Sequence, residues 1–518
     1  MLHAVASLVR GELAGPDRAV TGVTLSSQDV VAGDLYAALP GANTHGARYA
    51  AGARDAGAVA VLTDAAGAAQ LDAEGVDLPR VVVEDPRSQV GQVASLVYGT
   101  VDLPLRLYGV TGTNGKTTTA YLVNSALIAL GHTTGLIGTV ETRIGDERIK
   151  SVRTTPEATV LHALLAVMTE RGIDSCVMEV SSHALSQHRV DGVVYDVALF
   201  TNLSQDHLDF HPTMRDYFLA KADLFTPHRS RTGIVCVDDE WGQELTTIAT
   251  VPVTTLTSLA DVDADWRLVA GEEDPATFTL SDGSTTMHLR SALPGDFNRV
   301  NTAMAALALL SAGIPAADAE RALLVDPHVP GRMERVVVDR TAVPAGPASG
   351  SDAELPLVVV DYAHTPDAVA AALKALRPAT SGCLVVVLGA GGDRDRGKRA
   401  AMGRAAAEGA DVVVVTDDNP RGEPPEAIRA AVLDGARAAG TPARLRDVEG
   451  RASAIAQAVR AAHEAGPGSV VAVVGKGHET GQEIAGTVHP FDDRDEARRA
   501  LESLLAGDQP DADGGARR

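Results

Sequence analysis

"LYGVTGTNGKTTTAYLVNSALIALG", residues 107–131, passes from an apolar run through a glycine-rich loop into a segment of helical pattern. That order builds a phosphate cradle in α/β proteins, because exposed backbone N–H groups and a helix N-terminus then face an anion. In such a cradle Gly112, Thr113, Asn114 and Gly115 would wrap the phosphates, Lys116 would neutralise the β and γ oxygens, and Thr117 would meet Mg²⁺. The general P-loop expression wants glycine six residues before the lysine, where this chain has Val110, so the match is to a shorter form. A glycine-rich turn that binds nothing is the alternative. Phosphate binding alone leaves motor, switch, kinase and ligase open.

Outward from this stretch the same grammar repeats. "DSCVMEVSSHAL" (174–185), "YDVALFTNLS" (195–204) and "GIVCVDDE" (233–240) are apolar runs ending in polar loops, as expected of a mainly parallel sheet buried on both faces. The stretch near 251–290, with "VPVTTLT" and "TFTLSDGSTTMHLRS", alternates at period two around an Asp-Gly turn and predicts a small antiparallel piece. Towards the C-terminus, "LPLVVVDYAH", "CLVVVLGAGGDRD", "DVVVVTDDNPR" and "SVVAVVGKGHE" predict a doubly wound α/β domain with its four polar loops on one rim. The first hundred residues carry shorter runs, "GAVAVL" (57–62) and "RVVVE" (80–84), between alanine-rich helical stretches. Breaks at Pro104 and in "HVPGRMERV" (328–336) divide the chain into 1–104, 105–333 and 334–507. The insert "AVPAGPASGSDAE" (342–354) reads as a flexible surface loop and 508–518 as a disordered tail.

The formal net charge of −23 argues against nucleic acid or an anionic membrane surface as partner. No apolar run is long enough to span a bilayer, so a cytosolic location is expected. The three cysteines are scattered without a CxxC pair, which fits a reducing compartment and small buried hydrophobes.

The motifs "TGTNGKTT" (111–118), "TTPE" (154–157), "EVSSHAL" (179–185), "TNLSQDHLDFH" (201–211), "YFLAKADLF" (217–225), "GDFNRVN" (295–301), "PGRME" (330–334), "DYAHTPD" (361–367), "DNPR" (418–421) and "GKGHE" (475–479) together resemble the Mur ligases of peptidoglycan synthesis. The resemblance covers nearly the whole chain, in the family's order. Within the family it is closest in pattern to members adding meso-diaminopimelate to UDP-N-acetylmuramoyl-L-alanyl-D-glutamate. It implies a three-domain α/β architecture: an N-terminal UDP-substrate domain, a central ATP domain of P-loop type and a C-terminal Rossmann-like amino-acid domain. It also implies a monomer using ATP and two Mg²⁺ ions. The implied reaction activates the D-glutamate γ-carboxylate as an acyl phosphate, which the incoming amine attacks; such chemistry is chiefly positioning and charge neutralisation.

The resemblance carries roles onto particular residues. The nucleotide set extends to Thr118, Thr119, Asn298, Asn301, Arg332 and Asp361, the last as a ribose contact. Asn298 and Asn301 could equally cap or join helices. Glu179 and His207 would bind a second Mg²⁺ beside the Thr117 ion. His207 and His211 could instead be solvated loop histidines, or a zinc pair if their segment were helical. Lys221 stands in a chain with six lysines among 45 basic residues, so a retained amine is informative. Unlike a guanidinium, it can lose its proton and react. In the family the matching lysine takes up CO₂ as a carbamate (N6-carboxylysine) that helps organise the second metal; a surface lysine without role is the alternative. The same scarcity covers Lys116, a compact charge against phosphate, and extends to Lys476, whereas Lys150 and Lys374 have no assigned role.

For the nucleotide sugar-peptide, Thr154, Thr155, Ser181, Gln187 and Arg189 match substrate positions, with Leu25, Ser27, Asn43 and Thr44 where uridine is held. Here "LSSQDV" departs from the family's common Asp-Ser-Arg, and His45 stands where Asp is frequent. For the amine, Asp418, Asn419 and Pro420 would hold an ammonium and polar head, while Arg421 would offer a fork to the distal carboxylate that lysine lacks. Arg394, Gly475 and Glu479 would complete that pocket. Arg421 could otherwise pair with Glu423 or Glu426. A folylpolyglutamate-type ligase and a catalytically decayed nucleotide-binding scaffold are the rival readings.

Overall fold

The computed structural model describes residues 1–41, 43–339 and 355–506. The insert 342–354 and the tail 508–518 therefore lie outside the described residues. Among the described residues three large, mainly parallel sheets follow one another along the chain, with a two-stranded antiparallel hairpin, Gly481–Ile484 and Thr487–Pro490, after the third.

The first has five strands in the spatial order Glu12–Ala14, Arg80–Val82, Ala60–Thr63, Asp34–Ala37, Gly22–Thr24, with only the first pair antiparallel. "GAVAVL" becomes a strand only from Ala60, because Gly57, at φ 114°, ends the preceding helix. Helix Pro86–Tyr98 then docks this unit on helix Ala158–Glu170 of the next. The approach is close: a Cβ at Gly91 would lie 2.3 Å from the Asp191 carbonyl oxygen.

His162 is fully buried in this seam. Its Nε2 donates to the Asp191 carbonyl at 2.9 Å, so its Nδ1, 2.6 Å from the Thr100 hydroxyl, is the acceptor of a neutral ring. Burial holds its pKa below the ordinary value, and the hydrogen bond to Asp191 only partly opposes this. The depressed native value means that unfolding takes up a proton, so this group's contribution is unchanged above pH ~6.5 and stability is lost as pH falls below it, by at most about 1.4 kcal/mol per pH unit. Urea denaturation at pH 7.5 and 5.5 should show a loss that shrinks in His162→Gln; an identical pH dependence in both proteins would refute the assignment.

The central sheet has eleven strands. Seven run parallel in the order Thr134–Ile137, Ser175–Glu179, Arg106–Thr111, Tyr195–Phe200, Ser230–Cys236, Val253–Thr257, Trp266–Ala270. Antiparallel strands extend both edges: Thr277–Ser281 and Thr286–Arg290 at one, Glu141–Ile144 and Glu147–Lys150 at the other. The expectation of an antiparallel piece at 251–290 is thus corrected for "VPVTTLT", whose strand is parallel to Ser230–Cys236, and the rest continues the main sheet. Valine and leucine facing a helix on each side favour this arrangement. Helix Lys116–Ala129 packs on the sheet and alongside helix Asp296–Ser311, which touches the same sheet, so most of its side chains are buried.

The third sheet has six strands in the order Glu334–Arg335, Leu357–Asp361, Val470–Val474, Leu384–Leu388, Val412–Val415, Arg444–Asp447. All neighbours but the first pair are parallel, so the loops after Asp361, Leu388, Val415 and Val474 share one rim. No helix among the described residues is long and apolar enough to cross a membrane.

Candidate active site

The phosphate loop is held in shape by its neighbours. Gly112 (φ 146°) and Gly115 (φ 87°) have no room for a side chain: a Cβ would lie 2.0 Å from Thr201 Oγ1 and 2.5 Å from Asn301 Oδ1 respectively. Asn202 receives the Thr113 and Asn114 amides on its carbonyl and side-chain oxygens, both at 2.9 Å. The Thr113 hydroxyl lies 3.1 Å from the Tyr217 hydroxyl. Thr118 and Thr119 are buried at the start of the helix, where the Thr119 amide donates to the Gly115 carbonyl at 2.9 Å and the N–H groups before it have no place in the intrahelical ladder.

Two lysines converge on this loop. Lys116 donates to the carbonyls of Gly112 at 2.9 Å and Thr113 at 3.0 Å, and Lys221 donates to the same Gly112 oxygen at 2.9 Å. Lys221 is 1% exposed, with its amine 4.6 Å from the Tyr217 ring centre, so the surface-lysine alternative is overturned. Burial above all, then the charge of Lys116, holds its pKa well below that of an ordinary lysine; Asp206 opposes them. Burial also lowers Lys116, although Glu179 opposes it. An uncharged amine at 221 is the reactive form towards CO₂.

Glu179 ends strand Ser175–Glu179 and is 1% exposed. Its Oε1 accepts from the Thr139 amide at 2.7 Å, and its Oε2 accepts from the Thr117 hydroxyl at 2.9 Å and lies 3.0 Å from Thr139 Oγ1. Arg332 closes the set by donating to Thr117 Oγ1 at 3.0 Å while stacking on Tyr362. His207 follows strand Tyr195–Phe200 at φ 56°, its ring centre 4.8 Å from that of His183 and 5.8 Å from Tyr217. Burial pulls His207 down to about 3 and His183 down to about 4, so both rings are neutral at pH 7 and free to offer a nitrogen lone pair. Residues 208–210 form a turn and not a helix, and His211 bonds Ser182 at 3.0 Å, so the helical zinc pair is corrected. Among the described residues no group of three His, Cys, Asp or Glu side chains forms a ready metal cage.

Asn301 places its Oδ1 3.3 Å from the Thr119 hydroxyl and donates to Asn298 Oδ1 at 3.1 Å, so these asparagines join helix to phosphate loop in this structure. Asp361 is turned to its own backbone, accepting from Met333 N at 2.7 Å and Ala363 N at 2.9 Å. Burial raises its pKa, with Arg332 opposing.

On the sugar-peptide side, Thr154 Oγ1 lies 3.1 Å from Thr139 Oγ1. Thr155 accepts from the Ser181 amide at 3.1 Å, and Ser181 caps helix Ser182–Ser186. Arg189 bonds Gln187 and lies 3.0 Å from Glu157, which also pairs with Arg87 and Arg153. Leu25 and Ser27 are half-buried and Asn43 is exposed. The departure at His45 has a structural cause: its Nδ1 accepts from Ala47 N at 3.0 Å and its Nε2 lies 3.1 Å from Asp64.

In the third unit Asn419, Glu479 and Lys476 form one hydrogen-bonded cluster beside Asp418. Lys476, singled out in sequence only by the scarcity of lysine, has its place in this cluster. Arg421, at φ 52°, is held by Glu483 at 3.2 Å and by the Gly392 carbonyl at 2.8 Å. Its suggested pairing with Glu423 or Glu426 is overturned, because Glu423 pairs with Arg396 and Arg399. Pro420 receives the Glu423 amide, Gly475 takes φ 118°, and the stem of Arg394 passes Gly391 before its guanidinium reaches 3.5 Å from Asp209.

A cleft of about 620 Å³ joins these parts, lined by Thr139, Glu141, Arg148 and Lys150 of the central unit and by Asn419, Glu479, Glu483 and Arg494 of the third. Lys150 crosses it to Thr480 at 3.3 Å. A second joint forms around Asp206, buried beside His207, which lies 3.4 Å from Lys398 and 3.5 Å from His364. Burial would raise the Asp206 pKa, but the His364 hydrogen bond and the charges of His364, His207 and Lys398 more than offset it. Thr139 and Lys398 lie outside every quoted motif, whereas Asp206 and His364 lie inside "TNLSQDHLDFH" and "DYAHTPD" without an assigned role there. The only sequence signal for Thr139 is a polar residue just past a buried parallel strand.

Three family models match: the Mur ligase family catalytic domain over 19–98, the Mur ligase middle domain over 110–310 and the Mur ligase glutamate ligase domain over 350–477. A UDP-N-acetylmuramoyl-L-alanyl-D-glutamate–2,6-diaminopimelate ligase of Streptomyces avermitilis is 51% identical, over 94% of this chain and 93% of that one. A solved structure with the same enzyme name is 32% identical with a TM-score of 0.64, covering 94% and 95% of the two chains. A folylpolyglutamate synthase/dihydrofolate synthase with Mn, AMPPNP and L-glutamate bound shares the fold only, at 20% identity, TM-score 0.56 and 74% of this chain. With matches spanning all three sheets at this identity, the chain belongs to the Mur ligase family.

Proposed function

We propose that the protein joins meso-diaminopimelate to the D-glutamate γ-carboxylate of UDP-N-acetylmuramoyl-L-alanyl-D-glutamate, using ATP and passing through an acyl phosphate. The observation that carries this reading is the cleft: Thr139, which holds Glu179 beside the phosphate loop, shares it with Asn419 and Glu479 of the amine pocket. An activated carboxylate and an incoming amine could thus meet without leaving it.

The residues divide the work. Loop Gly112–Thr117 and the helix N-terminus receive the nucleotide phosphates, with Lys116 turning from Gly112 and Thr113 to the transferred group. Asn298, Asn301, Arg332 and Asp361 frame the nucleotide. Thr154, Thr155, Ser181, Gln187 and Arg189 face the sugar-peptide, with Leu25, Ser27, Asn43 and Thr44 towards uridine. Arg394, Asp418, Asn419, Pro420, Arg421, Gly475 and Glu479 take the amino acid. The donor set fits magnesium: the Thr117 hydroxyl with the phosphates, then the Glu179 carboxylate, neutral His207 and a carbamate on Lys221. Two such ions, when bound, neutralise the like charges of carboxylate and phosphate. Closure at Asp206 excludes water from the anhydride.

We assign 1–104 to the sugar-nucleotide, 105–333 to ATP and 334–507 to the amino acid, in a cytoplasmic monomer. Purified protein with ATP and magnesium should release phosphate only when the UDP-dipeptide and meso-diaminopimelate are both present. Release with a reduced folate and glutamate, or none with any pair, would overturn the reading.

A further inference from the structure

Lys476 lies just past strand Val470–Val474 and is 0% exposed, although every side-chain partner it has is polar. Its ammonium is 3.0 Å from Asn419 Oδ1, 3.0 Å from Glu479 Oε2 and 3.9 Å from Asp418 Oδ1. An ammonium only donates, and so does the Glu483 backbone amide, which reaches the same Asn419 atom at 3.0 Å. The Asn419 atom between these two donors is therefore its carbonyl oxygen, and its NH₂ is turned the other way, giving one hydrogen to Glu479 at 2.9 Å.

This bears on what the pocket can recognise. Asn419 has no acceptor left for a substrate ammonium, contrary to the sequence expectation, and presents N–H to the cleft. The ammonium must then rest on the carboxylates of Asp418 and Glu479. Asp418 is itself fixed: Gln482 donates to its carbonyl at 2.6 Å, and a Cβ at Gly475 would come within 2.7 Å of its Oδ2. Beneath the same turn the fully buried Arg451 binds Asp493 through two contacts of 2.7 Å and donates to the Val474 carbonyl at 2.9 Å.

We propose that Lys476 is a positioning residue that sets the polarity of the amine pocket. By holding Asn419 and one oxygen of Glu479 from below, it leaves carboxylate oxygens for the substrate ammonium and turns an amide N–H, on the Arg421 side, towards a substrate carboxylate. The inference rests on the reading that diaminopimelate occupies this pocket, and Lys476 itself touches no substrate.

The test is steady-state kinetics of Lys476→Met and Lys476→Gln with each of the three substrates varied. In Lys476→Met the KM for meso-diaminopimelate should rise at least about tenfold, the scale of one lost charge-assisted hydrogen bond, with the KM values for ATP and UDP-dipeptide within about twofold of wild type. Preference for meso-diaminopimelate over L-lysine should fall, because the amide is free to flip. Lys476→Gln restores a neutral donor and should give a KM raised only about threefold. An unchanged amino-acid KM, an unchanged preference, or a parallel rise in all three KM values would overturn the proposal. If Lys476→Met does not accumulate folded, Lys476→Gln decides by the same criteria. Wild-type protein inert towards diaminopimelate would sink the functional reading itself; an active wild type with unaltered variants sinks only this inference.

Discussion

Lys221→Ala should lower the ligation rate by on the order of 10³-fold or more while leaving nucleotide and UDP-dipeptide binding nearly intact. The side chain is 1% exposed, and burial, then Lys116 across the shared Gly112 carbonyl, holds its pKa well below that of an ordinary lysine. A buried lysine kept merely as a cation would not be placed against a second ammonium. A neutral amine able to become an anionic carbamate is relieved by that same neighbour, since the charge of Lys116 then attracts it. Lys221→Arg separates the two accounts: arginine keeps the positive charge but forms no carbamate at ordinary pH, and it should be as inactive as alanine. In Lys221→Ala, bicarbonate or a short carboxylic acid should restore part of the rate by refilling the anion's place. Full activity in either variant would end the carbamate assignment.

The second large effect is expected at Arg421. Replacing it by alanine should weaken use of meso-diaminopimelate by about 10²–10³-fold, with the KM for UDP-dipeptide unchanged, because a half-buried, oriented fork matched to a carboxylate discriminates strongly. The structure sharpens the reason. Glu483 and the Gly392 carbonyl hold Nε and Nη1 in fixed directions, so the guanidinium reaches its ligand already oriented. Loss of the arginine also leaves Glu483 in the pocket without its ion-pair partner, which adds repulsion towards the substrate carboxylate. Titrating each substrate in turn checks this, and equal losses for amino acid and UDP-dipeptide would remove the assignment.

Much of the fold was legible in sequence because burial on both faces demands unbroken valine and leucine runs, and each such run here ends in a polar loop. Glu147–Lys150 was not legible: all four of its residues are exposed, so no apolar pattern marks this edge strand. Gly22–Thr24 and Glu12–Ala14 are too short to show a period. The site divides similarly. Residues that touch the phosphate loop lie in compact motifs, whereas Thr139 and Lys398 lie in none, and Asp206 and His364, though inside motifs, acquire partners only when strands far apart in the chain end side by side. Arg421 was found, but its partner was not, because Glu483 lies in a hairpin 62 residues further on.

Each seam between the three units combines close glycine packing with ion pairs. The first sets glycine against carbonyl beside a sealed neutral histidine, with the Arg87–Glu157 pair at its edge; the second sets Gly331 against the His478 amide and adds the pairs Lys398–Asp206 and Arg394–Asp209. Dissolved electrolyte screens the exposed pairs, Arg87–Glu157 in the first and Arg394–Asp209 in the second, and hardly touches the sealed histidine or the buried Lys398–Asp206 pair. Both joints thus have a dry centre and a charged margin, and brine would be felt first at the margins.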